Sequence, residues 1–159
     1  MRTRHSATAL LVLSLLASGL LTASGDAAAV PATQTIPIAG IVDGVPESVS
    51  LAGNLSIATT LIVDPLLDAP RVLLSIKLVN VSGTGLVSGA RYVATGQDTN
   101  LRLLAITDKL EIMFPLYRDT PDGPLSARSA MASIAVKFDL VTGSLTSATA
   151  SFSAPKLAG

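Results

Sequence analysis

The chain has no cysteine and no tryptophan, and its one histidine, His5, lies within the first ten residues. Without cysteine there are no disulfides, no thiolate nucleophile and no Cys-based metal site. Without a histidine beyond residue 5, a Ser-His-Asp triad cannot form in the rest of the chain, and the usual general base near neutral pH is missing. Aromatic residues make up only 3% of the sequence, while 49% is hydrophobic, so a core must be built from Val, Leu, Ile and Ala. Stacking platforms for sugars or bases are correspondingly scarce. Basic residues are scattered singly (Arg71, Lys77, Arg91, Arg102, Lys109) rather than gathered in a patch. A nucleic-acid partner is therefore not expected.

Arg2 and Arg4 precede an apolar run from Ala9 to Ala17, which Gly19, Leu20 and Leu21 extend. Small residues follow at Ala23-Ser24-Gly25 and again at Ala27-Ala28-Ala29. Charge, apolar run and small-residue cleavage region, in that order, read as a secretory signal peptide over residues 1–25, and cleavage as late as residue 29 fits equally well. The stretch from Ala7 to Leu21 is shorter than the ~20 residues of a spanning helix. Later apolar runs are broken by charges and turns, so no transmembrane span is expected in the mature chain. The expected location is secreted or periplasmic. Removing residues 1–25 takes two of the 11 basic residues and none of the 11 acidic ones, which leaves a formal charge of −2.

About 130 residues remain, enough for one domain with its own core. Their dominant period is two. From Val49 to Val63 the odd positions are mostly large and apolar and the even ones small or polar, as in a strand with one dry face. Gly53 marks a bulge or bend in it. Val72, Leu74, Ile76 and Leu78 alternate in the same way, as do Leu110, Ile112, Phe114 and Leu116, and then Ile134, Val136, Phe138 and Leu140. Pro115 cannot donate to a ladder, so its strand is expected at an edge or to end there. A last strand covers about Leu145–Phe152, and shorter candidates are Gln34–Ile41, Ala90–Thr95 and Asn100–Ile106.

The connections carry turn chemistry. Asp43-Gly44 and Thr142-Gly143 suit tight hairpins, because Gly accepts positive φ. Asp119-Thr120-Pro121-Asp122-Gly123-Pro124 is a longer turn. Ser82-Gly83-Thr84-Gly85 through Gly89 reads as a loop. Frequent turns, short strands and no amphipathic helix indicate an all-β fold: a single antiparallel β-sandwich or small closed β-barrel of about 7–9 strands, over residues 30–152, with a tail at 153–159.

Chemistry-bearing patterns are few. Ser75 and Lys77 share a strand face and could in principle form a Ser-Lys dyad, but a solvated lysine explains the pair as well. Asp64, Asp68, Asp108, Glu111 and Asp119 are the acids from which a glycosidase-like carboxylate pair would have to come. Asp119–Gly123 has oxygen ligands for calcium but also the composition of an ordinary turn. Asn54-Leu55-Ser56 and Asn80-Val81-Ser82 match the glycosylation sequon inside strand-like stretches. Gly83-Thr84-Gly85 lacks the Lys and the following helix of a phosphate loop. Phe114, Phe138 and Phe152 fit core periodicity.

The strand Leu78–Gly85 and the hairpin around Phe138–Gly143 resemble those of bacterial exported β-proteins, a resemblance that implies no activity. No catalytic, metal or cofactor residue is assigned. The expectation is a non-enzymatic binding module for a small apolar ligand or a protein partner. The alternatives are an assembly subunit pairing through β-edges, with Val49–Val63 as the natural edge, and a carboxylate-based hydrolase.

Overall fold

The computed structural model of the chain describes residues 32–64, 66, 69–120 and 127–155. Residues 1–31, where the signal peptide is expected, Asp68, most of the Asp119–Pro124 turn and residues 156–159 lie outside them. Eight strands follow one another: β1 (Ala32–Val42), β2 (Val49–Ile62), β3 (Arg71–Gly85), β4 (Arg91–Ala94), β5 (Gln97–Leu103), β6 (Thr107–Arg118), β7 (Ala127–Phe138) and β8 (Leu145–Ser153). Of the two architectures that alternation allows, the chain adopts the barrel. Seven strands close in the order β1, β2, β3, β4, β6, β7, β8 and back to β1.

An up-and-down barrel with an odd number of strands must contain one parallel neighbour pair, because strand directions cannot alternate all the way round. Here that pair is β1 and β8, which match over Ile38↔Ala150, Ala39↔Ser151 and Gly40↔Phe152. All other pairings are antiparallel. A Cβ at Gly40 would collide with the backbone of Phe152, so the closing contact needs a glycine there.

Alternation sends one set of side chains inward. Leu55, Ile57, Val72, Leu74, Ile76 and Leu116 are completely buried, and with Ile38, Phe114, Ile134, Phe138 and Phe152 they belong to a single cluster reaching across all seven barrel strands. The axis is thus filled by side chains. Outward positions carry Ser50, Ser56, Ser75, Lys77, Lys109, Glu111, Ser133, Lys137 and Thr149. That polarity is the reverse of a barrel whose outer wall faces lipid. Among the described residues no helix is long and apolar enough to cross a membrane.

Several expectations need correction. Ser82–Gly85 is strand, the end of β3, paired with both β2 and β4. The glycines are there for space: a Cβ at Gly83 would meet the Ser50 carbonyl, and one at Gly85 the Glu47 carboxylate. Val49–Ile62 is not an edge, since it lies between β1 and β3 over nearly its whole length. The Asp43-Gly44 connection is longer than a tight hairpin, running from residue 43 to 48 with a cis Val45–Pro46 bond. The strand placed at Asn100–Ile106 sits earlier, at Gln97–Leu103.

Gly53 does mark a bulge, and the extra residue is on its partner. Asn54 pairs with Val79 and Ala52 with Ser82, so Gly53 alone faces Asn80 and Val81. Asn80 has φ of 51°, a left-handed conformation that Asn tolerates better than most residues. The insertion shifts the inward phase of β3 from Leu78 to Val81, and both stay buried.

Thr59 is the polar exception inside the wall: it is 3% exposed, and its hydroxyl has no hydrogen-bond partner. An unsatisfied buried hydroxyl costs about 1–3 kcal/mol. Thr59→Val, which keeps the shape, should therefore raise the unfolding free energy by about 1 kcal/mol in urea denaturation. A loss of similar size would show that the hydroxyl is bonded in solution.

Candidate functional site

β4 and β5 are two halves of one bent strand running antiparallel to β3. β4 pairs with Val81–Thr84 and β5 with Arg71–Lys77. The bend is at Gly96, with φ of 144°, and a side chain there would press on the Phe114 ring. β4 also pairs with β6, at residues 116–118, but β5 pairs with β3 alone among the described residues. Below the bend the wall therefore splits, leaving a seam between β5 and β6.

Composition explains the split. Residues facing each other across a ladder share a face, and Asp98, Asn100 and Arg102 oppose the core residues Ile76, Leu74 and Val72. A strand with those inward groups cannot be buried over an aliphatic core without leaving polar atoms unpaired. The polar side chains pair with one another instead. Asn100 donates to Asp98 at 2.7 Å, and Arg102 crosses the seam to Asp108 of β6 with two bonds of 2.8 and 3.0 Å. Asp108 also accepts the Lys109 amide at 2.7 Å. These bonds hold Asp108 below the usual carboxylate range, the Arg102 bonds most of all, while burial opposes them.

Hydrogen-bond direction shows which backbone groups the seam leaves open. The Ile106 carbonyl accepts from Phe138, so even residues of β6 point to β7. The Pro115 carbonyl accepts from Thr95 at 3.4 Å, so odd residues point toward β4 and the seam. Gly96 and Leu104 bond toward β3, so the odd residues of β5 also face the seam. The amides of Glu111 and Met113, and those of Thr99, Leu101 and Leu103, thus line two facing edges. Pro115 sits where β6 leaves β4, with its missing N–H on the open side, as expected for an edge position. On the outer side stand Leu101, Leu103 and Met113, all exposed aliphatic or thioether chains, and a depression of about 430 Å³ runs between Arg71, Leu103, Ala105 and Asp108.

A second polar cluster ties the opposite end of the barrel. Glu47, 8% exposed, accepts hydrogen bonds from the amides of Val87 and Ser88 at 2.9 and 2.8 Å, from the Ser88 hydroxyl and from Tyr92 Oη at 3.1 Å. The Ser88 hydroxyl and amide, then Val87 and Tyr92, bring its pKa down to about 2, against an ordinary 4.5. Burial, then the hydrogen bond to Glu47, pushes Tyr92 up. Arg128 stacks over the Tyr92 ring at 5.6 Å. A carboxylate ionised this firmly is no proton shuttle near neutral pH. It fastens the β1–β2 connection to the β3–β4 connection.

The sequence-level candidates fare as follows. Ser75 and Lys77 both lie on the outer, exposed face of β3, without the burial that activates a lysine. Asp64 accepts the Leu66 amide in its own connection, Asp108 is engaged by Arg102, and Asp119 pairs with Arg91 at 3.2 Å near the other end. Asp108 faces inward on β6 and Glu111 outward, so neither forms a pair with the other. Gly83-Thr84-Gly85 is paired strand, and Asn54 and Asn80 are exposed positions beside the bulge. Among the described residues no group of three or more acids or histidines could hold a metal ion. No pattern in the sequence marks Glu47, Tyr92, Arg128 or the Arg102–Asp108 bridge. Glu47 and Ser88 are 41 residues apart and leave no local signature.

Comparison with protein-family models, with curated proteins and with solved structures found no match.

Because the folded pKa of Glu47 lies below its unfolded value, its contribution to stability is complete above about pH 4.5. It is lost as pH falls through about 2. The stability difference between the natural protein and Glu47→Gln should be constant at neutral pH and shrink between pH 4.5 and 2, read from urea midpoints. A difference independent of pH would contradict the hydrogen-bonded carboxylate.

Proposed function

We propose that this chain is an exported, non-enzymatic binding module that takes an extended segment of a protein partner along the seam between β5 and β6. The observation that carries the reading is the pair of facing strand edges with unpaired backbone groups. Strand addition uses such edges: main-chain bonds supply affinity and alternate side chains supply selectivity. Natural sheets usually cover or blunt edges of this kind, so two left open side by side favour an interaction role. The segment's outward side chains would meet Leu101, Leu103 and Met113, and its inward ones the polar row of Asp98, Asn100 and Arg102.

Other readings draw less support. A small apolar ligand would need an apolar cavity, and the barrel axis is occupied by core side chains. A carboxylate hydrolase would need two acids across a cleft; Asp64, Asp108 and Asp119 are engaged separately, and Asp108 and Glu111 face opposite sides of β6. Assembly between whole copies through β6 would place a second sheet where β5 already stands. Export rests on the leader-like order of residues 1–29, with a secreted or periplasmic location as its consequence.

The test is a displayed library of linear peptides about ten residues long, panned on the mature protein, with affinities of selected peptides read by fluorescence anisotropy. Glu111→Pro removes an amide from the seam but none from the β6–β7 ladder. It should leave the circular dichroism spectrum unchanged and weaken binding about tenfold, the loss of one hydrogen bond of about 1.4 kcal/mol. Failure to select any peptide, or binding indifferent to Glu111→Pro and to Leu101→Ser, would contradict the proposal.

A further inference from the structure

A second site lies on the outer wall of β6, β7 and β8, and its argument does not depend on the seam. The outside of a barrel is convex, so a concavity there needs a cause. At this place Lys137 pairs with Ser147 but Phe138 with Leu145, a β-bulge that bends β8 locally. Small residues, Ala135 and Ser133, form the floor. The result is a groove of about 670 Å³ lined by Thr107, Lys109, Ala135, Lys137, Ser147 and Thr149. It adjoins a smaller one of about 380 Å³ that continues along Ser133 and Ser151 to Glu111.

Lys109 and Lys137 stand over this groove from neighbouring strands. Lys109 pairs with Ala135 and Lys137 with Thr107, so the two lysines are diagonal neighbours on one face. Such positions are about 7–8 Å apart, close enough for both side chains to reach one small ligand. Neither makes a salt bridge among the described residues; of the acids at this end, Asp108 is engaged by Arg102, and Asp139 accepts from Val141 and Thr142 in its own turn. Two like charges on diagonal neighbours repel, and an anion between them relieves that repulsion, while Glu111, two residues beyond Lys109 on the same face, is the acid that shares this wall with them. On the β8 side the groove offers hydroxyls from Ser147, Thr149 and Ser151, and Glu111 at the far end repels a second negative group.

We propose that this groove binds a phosphate ester of a polyhydroxy compound. The dianionic head would lie between Lys109 and Lys137, and the hydroxylated body along Ser133, Thr149 and Ser151. The charge of the head answers the lysine pair, and the Ser/Thr row can both donate to and accept from hydroxyl groups.

Isothermal titration of the natural protein with inorganic phosphate and with glucose 6-phosphate tests this. The ester should bind several-fold more tightly than inorganic phosphate. Lys109→Gln and Lys137→Gln should each weaken the ester about tenfold, and binding should fall with added salt. Lys77→Gln, on the far wall, should change nothing. All three lysines are exposed, so folding should be unaffected, which thermal unfolding verifies. Absence of saturable binding, inorganic phosphate binding as tightly as the ester, or equal loss with Lys77→Gln would overturn the proposal.

Discussion

The parallel ladder between β1 and β8 covers three residue pairs, and it turns an eight-strand sheet into a closed wall. Without it β1 and β8 would both be long exposed edges, and the aliphatic faces of Ile36, Ile38 and Phe152 would be open to water. Closure is possible because Gly40 lets the two backbones approach. It also explains how a chain with no disulfide and few aromatics can sustain a core. Curling the sheet gives every inward Val, Leu and Ile neighbours on all sides, which maximises burial per residue.

Closure is incomplete at one place, and the defect follows from the same physics. Where inward positions are aliphatic, the neighbouring strands pair. Where β5 presents Asp98, Asn100 and Arg102 inward, the wall parts, and the bend at Gly96 lets it part without disturbing β4. The Arg102–Asp108 bridge then closes the gap with side chains instead of backbone. Such a bridge is half open to solvent and worth little energetically. An incoming strand with several backbone bonds could outcompete it.

Much of the wall was legible in the sequence. The period-two runs at Val49–Val63, Val72–Leu78, Leu110–Leu116 and Ile134–Leu140 became β2, β3, β6 and β7 because one buried face imposes alternation, but Val63 and Leu140 lie just past the strand ends and are exposed. Gly53 and Pro115 announced a bulge and an edge through their backbone properties. The end of β3 was not legible. Its glycines look like a loop, yet they serve close approach to Ser50 and Glu47, which lie far away in sequence. Neither were the seam and the groove, which depend on which strands become neighbours. Alternation gives each strand an inside and an outside but does not say where it sits around the barrel.

Amide hydrogen exchange along β6 tests the open seam most directly. If β6 pairs only with β7 below Pro115, the amides of Leu110 and Ile112 should be strongly protected, and those of Glu111 and Met113 should exchange near the rate of an unstructured chain. That odd-even contrast is the signature of a strand bonded on one side. Uniform protection from residue 110 to 113 would mean that β5 closes on β6 in solution and that no edge is available to a partner.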